Sequence, residues 1–169
     1  DRPQDMYPKY RRELEARMKS GLFNQIGTFC IDSVTTLSDV MFPWGEMRVI
    51  GQGKTTGPTN SDADIRSVYG ECQTELFRIF RRILSFPCDF IVTAHPDEKE
   101  QKARKAVSPQ LIGRKKDVLV LFNEIYYLEV IDDKEGNTKR SLLIDSDGQF
   151  TAGSRLNNKR QLDIRQAPD

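Results

Sequence analysis

Two short apolar runs in this chain each end in a residue that can do chemistry. Thr28-Phe29-Cys30-Ile31 runs into Asp32 and Ser33, and Asp89-Phe90-Ile91-Val92-Thr93-Ala94 runs into His95, the sole histidine, ahead of Pro96. An aspartate presented at a strand end suits a hard divalent cation. A Mg2+ ion carrying a triphosphate takes only one or two protein carboxylates, directly or through water, because phosphate oxygens and waters fill its other positions. The same aspartate also serves as an ordinary cap for the following helix, since Asp is a favoured N-cap. His95 has the chemistry to hydrogen-bond a γ-phosphate or an attacking water and to report that state to the residues that follow. A lone histidine is more often simply a satisfied polar residue.

The segment from Asp97 to Asp117 carries a third kind of chemistry. Lys99, Lys102, Arg104, Lys105, Arg114, Lys115 and Lys116 stand against Asp97, Glu98, Glu100 and Asp117, with no aromatic residue among them. Bases without aromatic platforms suit contact with a phosphate backbone rather than reading of bases; the alternative is a solvated surface loop. Gly53-Lys54-Thr55 resembles the end of a phosphate-binding loop, but the position where that motif needs its first glycine is Arg48, and Thr56-Gly57-Pro58 cannot open a helix. It reads as a loop.

These groups need a scaffold. The chain has 169 residues, 37% hydrophobic and 30% charged, with 26 Lys+Arg against 25 Asp+Glu, a balance of +1. That is one domain's length, and the near-neutral total leaves local clustering as the only electrostatic case for nucleic acid. The apolar runs are too short to span a membrane, and no secretory signal pattern is present. Cys30, Cys72 and Cys88 are odd in number and lack metal-ligand spacing, so a reducing compartment fits best.

Residues Tyr7 to Ser20 predict a helix with Leu14, Met18 and Leu22 on one face and Gly21 as its stop. Pro43 to Asp64, with Gly45, Gly51, Gly53 and Gly57, predicts a long functional or disordered loop. Ile65, Val68, Cys72, Leu76, Ile79, Phe80 and Ile83 recur at helical spacing up to Pro87. Glu124–Ile131 and Arg140–Ile144 predict an antiparallel pair joined by a turn over Asp133–Asn137, and the chain beyond Asn157 a polar tail that frays. The order is α/β. The two early strands, joined through a long helix, are expected to lie parallel and adjacent, about 4.8 Å apart. Ligands of such sheets sit beyond the carboxyl ends of the strands, where Asp32 and His95 fall.

Together these residues resemble the RecA-like P-loop ATPase core, and more closely a phage-type family of AAA nucleotide-binding proteins that includes single-strand-annealing recombinases. Thr28 to Leu37 is similar to the family's Walker B strand and its continuation, and Asp89 to His95 to its phosphate-sensor strand. Ser108 to Gly113 looks like the end of its mobile loop, and Thr151 to Arg155 like its terminal strand with a basic residue, although Gly153 and Ser154 stand where a lysine is often found. The resemblance implies a mainly parallel sheet flanked by helices with a C-terminal antiparallel pair, residues 1–156 forming the C-terminal part of the core and 157–169 a tail. It implies ATP and Mg2+ as cofactors, Asp32 serving the metal, Asp32, Ser33 and Arg155 at the nucleotide, and His95 as sensor. Arg155 would reach a neighbour's nucleotide.

The basic segment would be one DNA-binding loop and Pro43–Asp64 another, with single-stranded DNA and a ring or filament of further copies as partners, in the cytoplasm, that of a bacterial host cell if the protein is phage-encoded. The family's phosphate-binding loop, which precedes the Walker B strand, is missing, and the chain starts at Asp1. The expectation is therefore a C-terminal part of a longer ATPase, inactive alone. Two other classes fit the same residues: a non-catalytic nucleic-acid-binding or interaction module on a degenerate fold, and a hexameric helicase or packaging ATPase.

Overall fold

Proline in the first turn, where a missing N–H costs nothing, starts helix α1, Pro3–Lys19. Asp5 near its start and Arg17 and Lys19 near its end suit the helix dipole. Gly21, at φ +79, turns the chain out of the helix. Tyr7, Leu14 and Met18 form the buried face; Leu22 belongs instead to a short 3-10 turn, Leu22–Asn24. The computed structural model describes residues 2–57, 62–97, 112, 118–132, 138–146, 149–155 and 161–163. The chain divides into two compact units, residues 1–95 with 110–115 and residues 96–109 with 116–169.

In the first unit, β1 (Thr28–Ile31) lies parallel to β4 (Asp89–Val92), with Thr28 opposite Asp89 and Ile31 opposite Val92. The adjacent parallel pair is as expected, as is the mixed α/β class. Side chains alternate across a strand. Phe29 and Phe90 turn to one face, 6.1 Å apart between ring centroids, and Phe80 of helix α3 (Ile65–Ile83) meets Phe90 edge-on at 5.2 Å. Phe23, fully buried, joins them at 4.9 Å from Phe29. This aromatic cluster fastens the sheet to α3. On the opposite face Cys30 and Ile91, also opposite one another, are exposed.

Helix α2, Val34–Gly51, corrects the loop expected over Pro43–Asp64. The helix continues through Pro43, and the chain after it forms a small antiparallel hairpin of β2 (Thr55–Thr56) and β3 (Asp62–Ala63). Glycine and proline content suggested a loop. What overrides it is burial, since Val34, Leu37, Met41, Trp44 and Val49 are all buried and α2 packs against both α1 and α3. Burying each such side chain is worth about 1.5–3 kcal/mol, enough together to outweigh one internal proline at about 3 kcal/mol.

At Gly45 α2 closely approaches α3: a Cβ there would lie 2.5 Å from Cys72 Sγ and 3.2 Å from Val68 Cγ1. Cys72 donates its thiol hydrogen to the Met41 carbonyl at 3.5 Å, and burial, then the charges of Glu71, Glu46 and Glu75, push the thiol up to about 12. Helix α3 begins at the expected place, capped by Asp64, which accepts from the Ser67 amide at 3.1 Å. Of its predicted stripe, Ile65 is the exception at 51% exposure; it sits in the first turn, where the chain has just entered from the hairpin.

A charged cluster closes the three-helix junction. Buried Tyr7 packs its ring 4.7 Å from Trp44 and donates its hydroxyl to Glu75 Oε1 at 2.7 Å. Arg78 grips both Glu75 oxygens, at 2.8 and 2.9 Å, and Arg11 stands 3.4 Å away. Burial alone would raise the Glu75 pKa, but the hydrogen bonds from Arg78 and Tyr7 outweigh it and hold the group below the ordinary 4.5. Burial, then the Glu75 bond, pushes Tyr7 upward, so it stays protonated.

The second unit is built from antiparallel strands. β5 (Glu124–Ile125) pairs with β8 (Gly153–Ser154), and β6 (Tyr127–Asp132) pairs with β7 (Thr138–Leu143), which also pairs with β9 (Gln161–Asp163). The expected pair is present, but its first strand divides at Tyr126, so that Glu124–Ile125 serves a different partner. Tyr127 stacks on Phe150 at 3.7 Å. The turn predicted over Asp133–Asn137 lies outside the described residues.

Two stability measurements test this packing. Gly45→Ala is expected to destabilise the protein by about 1–2 kcal/mol in urea unfolding: overpacking costs about 1–3 kcal/mol and is offset in part by alanine's helix propensity. In a Cys72→Ala background the clash at 2.5 Å is gone and the penalty should largely vanish, a coupling that a double-mutant cycle reads directly. Glu75→Gln is expected to cost about 2 kcal/mol near neutral pH, the scale of hydrogen bonds to a charged group. Because folding lowers the Glu75 pKa, its stabilisation is present above the unfolded value of 4.5 and is lost as pH falls through the lower folded value. Thermal unfolding followed against pH should therefore show wild type and Glu75→Gln converging below about pH 4.5.

Candidate functional site

The carboxyl ends of β1 and β4 bring Asp32, Ser33, Thr93 and His95 together. Continuing the register one step beyond Ile31 and Val92 sets Asp32 opposite Thr93, and the Thr93 hydroxyl donates to Asp32 Oδ1. The Thr93 N–H donates to the Ile31 carbonyl at 3.0 Å, and the Val34 N–H donates to the Thr93 carbonyl at 2.9 Å. Asp32 and Ser33 are joined by a cis peptide bond. Ser33 caps α2, its Oγ accepting the Thr36 amide at 3.2 Å and lying 3.1 Å from Thr36 Oγ1. The first turn of α2 thus starts at the site, its N-terminal amides adding a field that favours anions. Buried Thr35 accepts the His95 N–H on its Oγ1 at 3.0 Å, which pins the His95 backbone while the imidazole stays exposed.

The donor chemistry fits a phosphate-borne Mg2+. Asp32 is exposed, and Oδ1 is the oxygen that Thr93 engages. Among the described residues no group of three or more His, Cys, Asp or Glu side chains could hold a metal by itself. A single carboxylate beside a helix N-terminus is what a magnesium ion already carrying phosphates and waters needs, since it rarely sits in an all-protein cage.

The chain matches the family model described as "AAA domain" over residues 6–156. It belongs to the AAA domain family. No curated protein and no solved structure matches it. Membership makes this a P-loop ATPase-like, nucleotide-binding protein, of a family that generally uses ATP and Mg2+.

Within this AAA domain the Gly53-Lys54-Thr55 run is a turn leading into β2, with Gly53 at φ +72, so it is not a phosphate cradle. Arg155 belongs to the second unit. Its guanidinium donates to Asn123 Oδ1 at 3.1 Å and its amide to Glu124 Oε1 at 3.2 Å. Lys99, Lys102, Arg104, Lys105, Arg114, Lys115 and Lys116 lie outside the described residues. No helix among the described residues is long and apolar enough to cross a membrane.

Sequence reasoning picked out Asp32, Ser33 and His95 in this AAA domain and missed Thr93 and Thr35. The signal for Thr93 was available: once two parallel strands are aligned by their apolar residues, the polar residue one step past each end must face its counterpart. Thr35 carried no such signal, because its role depends on where the first turn of α2 meets the chain after β4.

Proposed function

We propose that this AAA domain is the Mg2+-dependent, ATP-hydrolysing core of a RecA-like protein that handles single-stranded DNA. The observation that carries the reading is the Asp32 carboxylate at the carboxyl end of a parallel strand pair, held at one oxygen by Thr93 and next to a capped helix N-terminus. Asp32 would hold Mg2+ directly or through a water. When bound, Mg2+ would supply positive charge to the phosphate oxygens. His95, two residues beyond Thr93, hydrogen-bonds the γ-phosphate or orients the attacking water. The phosphate cradle comes from a segment other than Gly53-Lys54-Thr55. Arg155, whose guanidinium meets the neutral Asn123 amide, offers a positive charge to a neighbouring copy's nucleotide in a ring or filament. The seven bases between Lys99 and Lys116 contact the backbone of single-stranded DNA.

Turnover tests the site. ATP hydrolysis by the full-length protein is expected to fall by about a hundredfold or more in Asp32→Ala, in line with loss of a principal electrostatic stabiliser, and less steeply in His95→Ala. The 169-residue chain alone should show no measurable turnover, since the cradle supplies most of the phosphate stabilisation. Turnover in the full-length protein that survives Asp32→Ala would overturn the assignment.

Salt dependence tests the DNA interaction. Replacing Arg114, Lys115 and Lys116 together with Ala should weaken single-strand binding equally for all sequences. The slope of log affinity against log salt should shrink by about 0.7 for each phosphate that is no longer neutralised. An unchanged affinity and slope in the full-length triple variant would make this segment ordinary solvated surface.

A further inference from the structure

Thr93 makes three hydrogen bonds to residues 31–34, the stretch that contains Asp32. Its N–H donates to the Ile31 carbonyl at 3.0 Å, its carbonyl accepts the Val34 N–H at 2.9 Å, and its hydroxyl donates to Asp32 Oδ1. The backbone of Thr93 therefore straddles Asp32, bonded on both sides of it. We propose that Thr93 is a positioning residue for the metal acid: by occupying Oδ1 it selects one carboxylate rotamer and presents Oδ2 to Mg2+. This rests on the reading that Asp32 serves Mg2+.

The physical case is one of preorganisation. The terminal torsion of an aspartate is broad and roughly two-fold, so an exposed carboxylate with no partner samples many orientations and presents either oxygen. A hydroxyl on a β-branched side chain is stiff at χ1, and here its backbone is tied at both its N–H and its carbonyl. Such a donor restricts the carboxylate before the ion arrives. Partners of this kind orient the ligand, and their loss typically costs about 10–100-fold in metal affinity or activity. Because both Thr93 and Asp32 are exposed, the hydroxyl can be removed without opening the core. The role asks for a hydroxyl: valine keeps the shape and loses the donor, whereas serine keeps the donor and loses the methyl.

The test is equilibrium binding without turnover. The Mg2+ concentration at half-maximal binding of a fluorescent ATP analogue is measured for the full-length wild type, Thr93→Val, Thr93→Ala, Thr93→Ser and Asp32→Ala. Thr93→Val and Thr93→Ala are expected to raise the Mg2+ midpoint about tenfold, with thermal unfolding and Mg2+-free nucleotide affinity unchanged. Thr93→Ser is expected to restore most of the loss. If Asp32→Ala abolishes the Mg2+ dependence while Thr93→Val and Thr93→Ala leave the midpoint where it was, the positioning role fails and the metal assignment stands. A serine variant as weak as valine also overturns it, because the methyl would then be what matters. If Asp32→Ala leaves the Mg2+ dependence intact, the reading beneath the proposal is the part that fails.

Discussion

The closeness of α2 and α3 at Gly45 is the constraint on which the first unit depends. No side chain larger than hydrogen fits at that point without displacing Cys72 Sγ, so opposite Cys72 the helices pack at this depth with glycine between them. The approach sets where α2 lies relative to α3, and the aromatic cluster of Phe80, Phe90 and Phe29 sets where the sheet lies on α3. With both fixed, the first turn of α2 meets the chain leaving β4, and Ser33, Val34 and Thr35 find their partners there. A local requirement for one missing methyl group thus propagates to the geometry of the acid.

The junction of α1 with α2 and α3 uses a different device. A buried carboxylate is costly unless its oxygens are satisfied, and Glu75 has Tyr7, Arg78 and Arg11 around it. Only this mutual arrangement makes the buried charge tolerable, so the cluster ties the angle of α1 to that of α3 more narrowly than apolar packing would. Tyr7 also touches Trp44, which brings α2 under the same restriction.

Much of this was legible in the residues themselves. Strands leave short apolar runs, and β1 and β4 were readable for that reason, along with their parallel pairing through a long intervening helix and the acid and histidine at their ends. Helix α3 was readable because one face meets the core and the other meets water, which imprints a period of 3.6 on the sequence. Helix α2 was not, because it is covered by two neighbours and so carries apolar residues around much of its circumference, with Pro43 and Gly45 resembling punctuation. Nothing short of the tertiary approach to Cys72 and Val68 explains Gly45. In the same way Asp32 announces itself by position, while its partners Thr93 and Thr35 look like ordinary strand and helix residues until the two segments are laid side by side.

The brace around Asp32 is formed wholly between β1, the start of α2 and the residue following β4. Neither outer edge of the strand pair takes part, and among the described residues neither outer edge is paired. Acid and brace accordingly make a self-contained cassette. Strands laid against either flank would widen the platform while leaving the carboxylate's orientation untouched, so the sheet can grow sideways without the site being rebuilt.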